Sequence, residues 1–203
     1  MVQLFLDGGG FMWPILIIFI FGFVFVGERL YHLIKGMASN FDFANEVSDT
    51  VKASGFNSGL SKCNESEGPV SNLCYAALER AENGVESAEK SLEQSAAIEM
   101  ASLEKNMTWI SLSIAIAPMF GFLGTVWGMI QAFNDIKMAN DISPAVVAGG
   151  ISVALLTTAF GLVVALILQL LQNTVMYIID NQVVTLQKST TTVLNSIEDH
   201  FKE

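Results

Sequence analysis

Three threonines, Thr125, Thr157 and Thr158, sit in stretches otherwise built of apolar and very small residues. A hydroxyl donates and accepts hydrogen bonds, so it can help to solvate a cation or relay a proton, but it does not change charge near neutral pH. A group that titrates in an apolar setting is a carboxylate or an imidazole. None is near: from Met107 to Phe133 and from Ser143 to Tyr177 there is no Asp, Glu, Lys, Arg or His. A chain that moves ions with these residues therefore needs a charge-changing group from another molecule.

At helical spacing each threonine falls in a stripe of small residues. Ser111, Ala115, Pro118, Gly121, Thr125, Gly128 and Ala132 follow one another at intervals of three or four, as do Gly150, Ala154, Thr158, Gly161, Ala165 and Gln169, with Thr157 beside Thr158. Small residues such as Gly121, Gly124 and Gly128 let helix backbones approach in lipid, and packing is their ordinary role. A lone threonine returns its hydrogen bond to its own helix and carries no function by itself. Thr125 and Thr158, placed mid-stripe at comparable depth on adjacent antiparallel helices, form one polar level that can line a wet path.

Elements long enough to hold these stripes are plain in the composition. Hydrophobic residues make up 52% of the 203, charged ones 15%, and the mean hydropathy is +0.49, too apolar for an ordinary soluble domain. Three windows, Gly8 to Gly27, Met107 to Phe133 and Ser143 to Tyr177, each supply the roughly 20 apolar residues a helix needs to span a bilayer. The first is read as a retained span, since no Lys or Arg precedes it and no A-x-A site follows. The reading is thus an all-α integral membrane protein with three transmembrane helices and long cytoplasmic helical extensions.

Basic residues orient it. Arg29, Lys35, Lys52, Lys62, Arg80, Lys90 and Lys105 lie between the first two windows, Lys188 and Lys202 follow the third, and only Lys137 lies between the second and third. By the positive-inside rule the N-terminus is outside and the C-terminus inside. The expected segments are a periplasmic N-terminus and first span over 1–34, a cytoplasmic helical segment over 35–106, spans over 107–133 and 143–178 joined by a periplasmic loop at 134–142, and a cytoplasmic helix over 179–203.

In the polar segment, Phe41, Phe43, Val47 and Val51 predict a short amphipathic helix, Gly55 to Pro69 reads as a loop, and Val70 to Glu82 as a helix broken at Asn83-Gly84. From Val85 the Ala-, Glu-, Leu- and Lys-rich run predicts helix right up to the membrane, so that the second span continues below the bilayer. Ile179, Val183, Leu186, Val193 and Ile197 extend the third span as a stripe that packs on a neighbour.

Other chemistries find little support. There is no nucleophile with a base, no metal-ligand cluster, no cofactor motif and no phosphate-cradling loop, so an enzyme is not indicated. The net charge of −10 argues against nucleic acid. Cys63 and Cys74 fall in the cytoplasmic segment and read as small side chains. Glu28 and Arg29, adjacent at the end of the first window, are read as topology and anchoring residues rather than a relay.

The stretch GFLGTVWGMIQAF from Gly121 to Phe133, preceded by IAIAPMF and followed by ISVALLTTAFGLVVAL, resembles the TolQ, ExbB and MotA proton-channel family. The likeness rests on the Ala117 to Met129 motif, the Ala154 to Ala165 stretch and Glu28-Arg29, and it covers the chain in span order and loop sizes. It implies a homopentameric ring in the bacterial inner membrane, multi-pass, whose second and third spans line a pore. Two copies of a single-span ExbD- or TolR-like partner would occupy that pore and carry the proton-binding Asp, with a TonB- or TolA-like protein as a further associate. By that resemblance Thr125 and Thr158 match the pore threonines, and Pro118, Gly121 and Gly124 the packing residues. Val153 departs from it, standing where many ExbB-like members carry Glu.

The resemblance thus implies the ring subunit of a motor that uses the proton motive force to drive a periplasm-spanning partner, in import or envelope maintenance. Three spans favour a TolQ- or ExbB-like subunit over a MotA-like flagellar stator, which would have four. Two alternatives stay open: a non-conducting membrane scaffold, and a flagellar or gliding-type stator subunit.

Overall fold

A computed structural model describes residues 2–36, 41–66, 68–139 and 144–202, and among them all regular structure is α-helical. The helices are α1 (Val2–Asp7), α2 (Met12–Gly36), α3 (Phe41–Ser54), α4 (Phe56–Asn64), α5 (Pro69–Ala81), α6 (Val85–Leu103), α7 (Met107–Ala139) and α8 (Pro144–Lys202). Three stretches are long and apolar enough to cross a membrane: Met12–Lys35, Val85–Met138 and Val147–Phe201. The chain divides into two compact units. One takes residues up to Arg29 together with 106–175, and the other takes 30–105 together with 176–203.

In the first unit α2, α7 and α8 share a core of Ile15, Ala117, Val164 and Leu168, flanked by Ile18, Phe19, Ile114, Phe120, Phe160 and Ala165. The outward surface is apolar too, with Ile17, Phe23, Phe122, Leu155 and Leu166 all more than half exposed. Hydrocarbon on both the inner and outer faces is the pattern of helices whose solvent is lipid. Between α7 and α8 the backbones nearly touch. A β-carbon on Gly161 would lie 2.7 Å from the Ala117 carbonyl oxygen, one on Gly121 3.0 Å from the Thr157 carbonyl oxygen, and one on Gly128 3.2 Å from the Gly150 carbonyl oxygen. The seam is antiparallel along its whole length, and its small residues are what permit it.

The second unit has an ordinary buried core, drawn from Val47 and Val51 of α3, Leu73, Ala77 and Leu78 of α5, Ala88 and Leu92 of α6, and Ile179, Leu186, Val193 and Ile197 of α8. The stripe read from the polar tail of α8 is therefore the face it buries, with Val183 half-buried beside it. One expectation fails here: the stretch read as a loop over Gly55 to Pro69 contains α4. Its Gly, Ser and Asn content disfavours helix locally, but Gly59 lets the helix lie against Val51 and Leu78, and Cys63 is buried. The Ser58 and Ser61 hydroxyls donate to carbonyls four residues back, at 3.1 Å each, and Ser71 Oγ of α5 donates to the Cys63 carbonyl at 2.7 Å.

A second expectation is modified. The helix from Val85 stops at Leu103 and α7 starts at Met107, so the second span does not simply run on from the polar segment. Asn106, with φ 66°, takes the left-handed conformation that ends one helix and opens the next. At its far end α7 runs on through Asn134 to Ala139, and the rest of the loop read at 134–142 lies outside the described residues.

Candidate functional site

The α7–α8 seam is where the threonines gather, but they do not play equal parts. Thr157, 1% exposed, lies inside it: its hydroxyl donates to the Ala154 carbonyl at 2.8 Å, and a β-carbon on Gly124 would meet its Oγ1 at 2.5 Å. Thr158 bridges the helices, its Oγ1 donating to the Gly121 carbonyl at 3.2 Å. Thr125 donates to Phe122 of its own helix at 2.6 Å and is partly exposed. Each donation leaves the hydroxyl oxygen able to accept. Thr125, Thr158 and Ala165 thus lie at the outer edge of the seam, while Thr157, Ala154, Gly121, Gly124, Gly128 and Gly161 are buried within it.

Pro118 stands inside α7, half-buried. Its ring nitrogen carries no hydrogen, so the helical bond to the Ile114 carbonyl four residues back is not made. One turn earlier, Ser113 Oγ donates to the Trp109 carbonyl at 2.9 Å. Near the two ends of the seam lie two further features. A cavity of about 360 Å³ is walled by Gly9, Trp127, Gln131, Val153 and Thr157, so the position where carboxylate was expected in relatives faces a mostly apolar pocket. Toward the other end, Gln172 Nε2 donates to Ser111 Oγ at 2.6 Å across the seam, and Gln169 Nε2 donates to Asn173 Oδ1 at 3.1 Å. Gln169 and Ser111 belong to the stripes read from the sequence; for Gln172 and Asn173, which that reading passed over, an amide inside an apolar run was the available signal.

The charged pair at the end of the first span is tied into the same unit. Arg29 is buried and its guanidinium lies 3.3 Å from Glu28 Oε1, while Glu28 Oε2 accepts a 2.9 Å bond from Asn106 Nδ2. The close of α2's apolar run is thereby fastened to the start of α7, at one level. Trp109, three residues on, packs against Phe21 and Phe25 of α2 at 6.2 and 6.3 Å between ring centroids. A Trp close to the end of an apolar run is common at a membrane–water boundary.

Away from the seam, in the second unit, the thiols of Cys63 and Cys74 are paired. Hydrogen bonding from Cys74 holds Cys63 below the usual thiol range against the opposing effect of burial, with Lys62 helping; Cys74, whose proton is engaged and which is buried, is pushed well up. Among the described residues no three His, Cys, Asp or Glu side chains gather as a metal site.

Comparison with known proteins gives the family. The chain is 30% identical over 183 residues to a biopolymer transport protein ExbB homolog of Methanothermobacter thermautotrophicus, covering 90% of this chain and 65% of that protein. It is 30% identical over 152 residues to the biopolymer transport protein ExbB of Neisseria gonorrhoeae, covering 68% and 66%, and 37% identical over 68 residues to the Tol-Pal system protein TolQ of Haemophilus influenzae, covering 34% and 30%. The chain thus spans less than two thirds of the length of each of these relatives. The model of the MotA/TolQ/ExbB proton channel family, a family of channel and transport subunits rather than of enzymes, matches residues 65–188, which take in the whole α7–α8 seam. This multi-pass membrane protein belongs to the MotA/TolQ/ExbB proton channel family.

Proposed function

We propose that the chain is the ring-forming subunit of a proton-driven motor, in which the outer edge of the α7–α8 seam lines a central pore. Copies of the chain, five by likeness to the family, surround two single-span partner helices of the ExbD or TolR type in a bacterial inner membrane. The partner's Asp takes up and releases the proton, and Thr125 and Thr158 face it. Movement of that partner is passed to a TonB- or TolA-like protein acting across the periplasm. One elementary charge crossing the membrane releases about 2.3 kcal/mol per 100 mV, so several protons per stroke supply useful work.

One observation carries this reading. Two hydroxyls stand at the edge of a close helix seam in spans that hold no ionisable carrier of their own. Hydroxyls can solvate a proton in transit, and a carboxylate from elsewhere must hold it.

The test is flux through the assembled complex. With the ring and partner reconstituted in vesicles under an imposed gradient, Thr125→Val and Thr158→Val should each lower partner-dependent proton flux by about tenfold, the loss of one hydrogen bond to a charged group. Flux that stays near the unsubstituted rate in both variants removes the threonines from the ion path and overturns the assignment of this edge to the pore, whereas flux that is absent with the native ring and partner overturns the motor reading in favour of a non-conducting scaffold.

A further inference from the structure

The Asn106–Glu28 hydrogen bond gives a ruler for depth. It joins the end of α2's apolar run to the first residue before α7, so it marks one edge of the apolar layer. Ser111 lies five residues further along α7, about 7.5 Å inside that edge at 1.5 Å per residue. Gln172 is at the same depth, because it donates to Ser111 Oγ at 2.6 Å. Gln169 is three residues deeper on α8, about 12 Å inside an apolar layer about 30 Å thick.

An exposed amide at that depth does not face lipid at rest. Leaving its polar atoms in hydrocarbon costs several kcal/mol, and Gln169 and Asn173 are both exposed on the single chain. Their mutual bond, and the one from Gln172 to Ser111, use a single N–H of each glutamine, whereas an amide offers two donors and two acceptor positions.

The register shows what these amides do face. Ser111 precedes Thr125 by fourteen residues on α7, and Gln172 follows Thr158 by fourteen on α8. On antiparallel helices equal offsets keep the two pairs on the same seam. At 100° per residue, Ala165, Gln169 and Gln172 all fall within about 40° of Thr158, and Pro118 and Ser111 within about 40° of Thr125. The edge that carries the threonines therefore carries a second polar level, about 21 Å along it.

We propose that Gln169, Gln172, Asn173 and Ser111 form the second coordinating level of the ion path, at its Glu28 end. Amide and hydroxyl oxygens there solvate a hydrated monovalent cation, hydronium or sodium, after it leaves the threonine level or before it arrives. The assignment rests on the reading that this edge lines the pore. The apolar stretch between the levels, with Leu162 and Ala165 on its wall, excludes bulk water and leaves the partner's carboxylate to carry the charge across.

Two measurements on the ring assembled with its partner decide it. In a background with Cys63→Ala and Cys74→Ala, Gln169→Cys should react with a charged, membrane-impermeant methanethiosulfonate at least about tenfold faster than Leu170→Cys, which sits about 100° round the helix. In the native-cysteine complex, the double substitution Gln169→Leu with Gln172→Leu should lower partner-dependent proton flux by about fivefold or more, with ring assembly intact by size. Equal labelling of the two cysteines overturns the proposal, because the face is then dry or covered by protein. Fast labelling with unchanged flux overturns it as well, since the level is then wet but off the path. Threonine variants that lose flux beside glutamine variants that keep it remove this proposal and leave the pore reading standing; a native complex with no flux removes both.

Discussion

A methyl group at Gly161 has nowhere to go. Its nearest neighbours are the Ala117 carbonyl oxygen and the Gly121 α-carbon, both backbone atoms that cannot swing aside. Gly161→Ala should therefore force α7 and α8 apart and destabilise the unit by about 1–3 kcal/mol, whereas Gly149→Ala, with open space around it, should be neutral or slightly stabilising. Thermal denaturation in detergent compares the two, and equal midpoints would show that the seam is not as close as drawn. Small-residue spacing made this seam legible, down to Gly121, Gly128 and Gly161. It did not show which of two adjacent threonines is locked inside. Thr157 and Thr158 are about 100° apart on one helix, and only the position of α7 decides that Thr157 fills the space beside Gly124 while Thr158 reaches the Gly121 carbonyl.

At the level of elements, long apolar runs were readable and short interruptions were not. The helix α4 is made by its neighbours: local propensity points to a loop, and burial of Cys63 and the approach of Gly59 to Val51 and Leu78 override it. The gap between α6 and α7 was hidden because no Gly or Pro marks it; an asparagine takes the left-handed turn instead. Asn106 has two jobs that substitution can separate. Asn106→Gly keeps the backbone conformation and loses the bond to Glu28, for a cost of about 1 kcal/mol. Asn106→Ala loses the same bond and also holds a β-carbon in the left-handed region, adding about 1 kcal/mol. Denaturant titration in micelles should rank native above Gly above Ala. An alanine variant as stable as the glycine variant would mean that the turn at Asn106 is not left-handed in the membrane.

For the whole molecule, which end of the ion path faces the cytoplasm turns on orientation, and the charge distribution makes a testable prediction of it. Nine of the ten Lys and Arg residues fall between the first two spans or after the third, leaving Lys137 alone in the last turn of α7. Acidic residues contribute little to orientation, so the net charge of −10 does not counter this bias. Alkaline phosphatase inserted at residues 140–143 should be active, showing exposure outside the membrane, and a fluorescent protein fused after residue 203 should fluoresce, showing a cytoplasmic end. Inverse results at both sites would reverse the topology. The consequence reaches the ion path: the Gln169 and Gln172 level lies at the Glu28 end, so the expected orientation makes it the cytoplasmic exit for an inward-moving proton. In the reversed one it becomes the outer mouth, and the threonine level becomes the last polar contact before the cytoplasm.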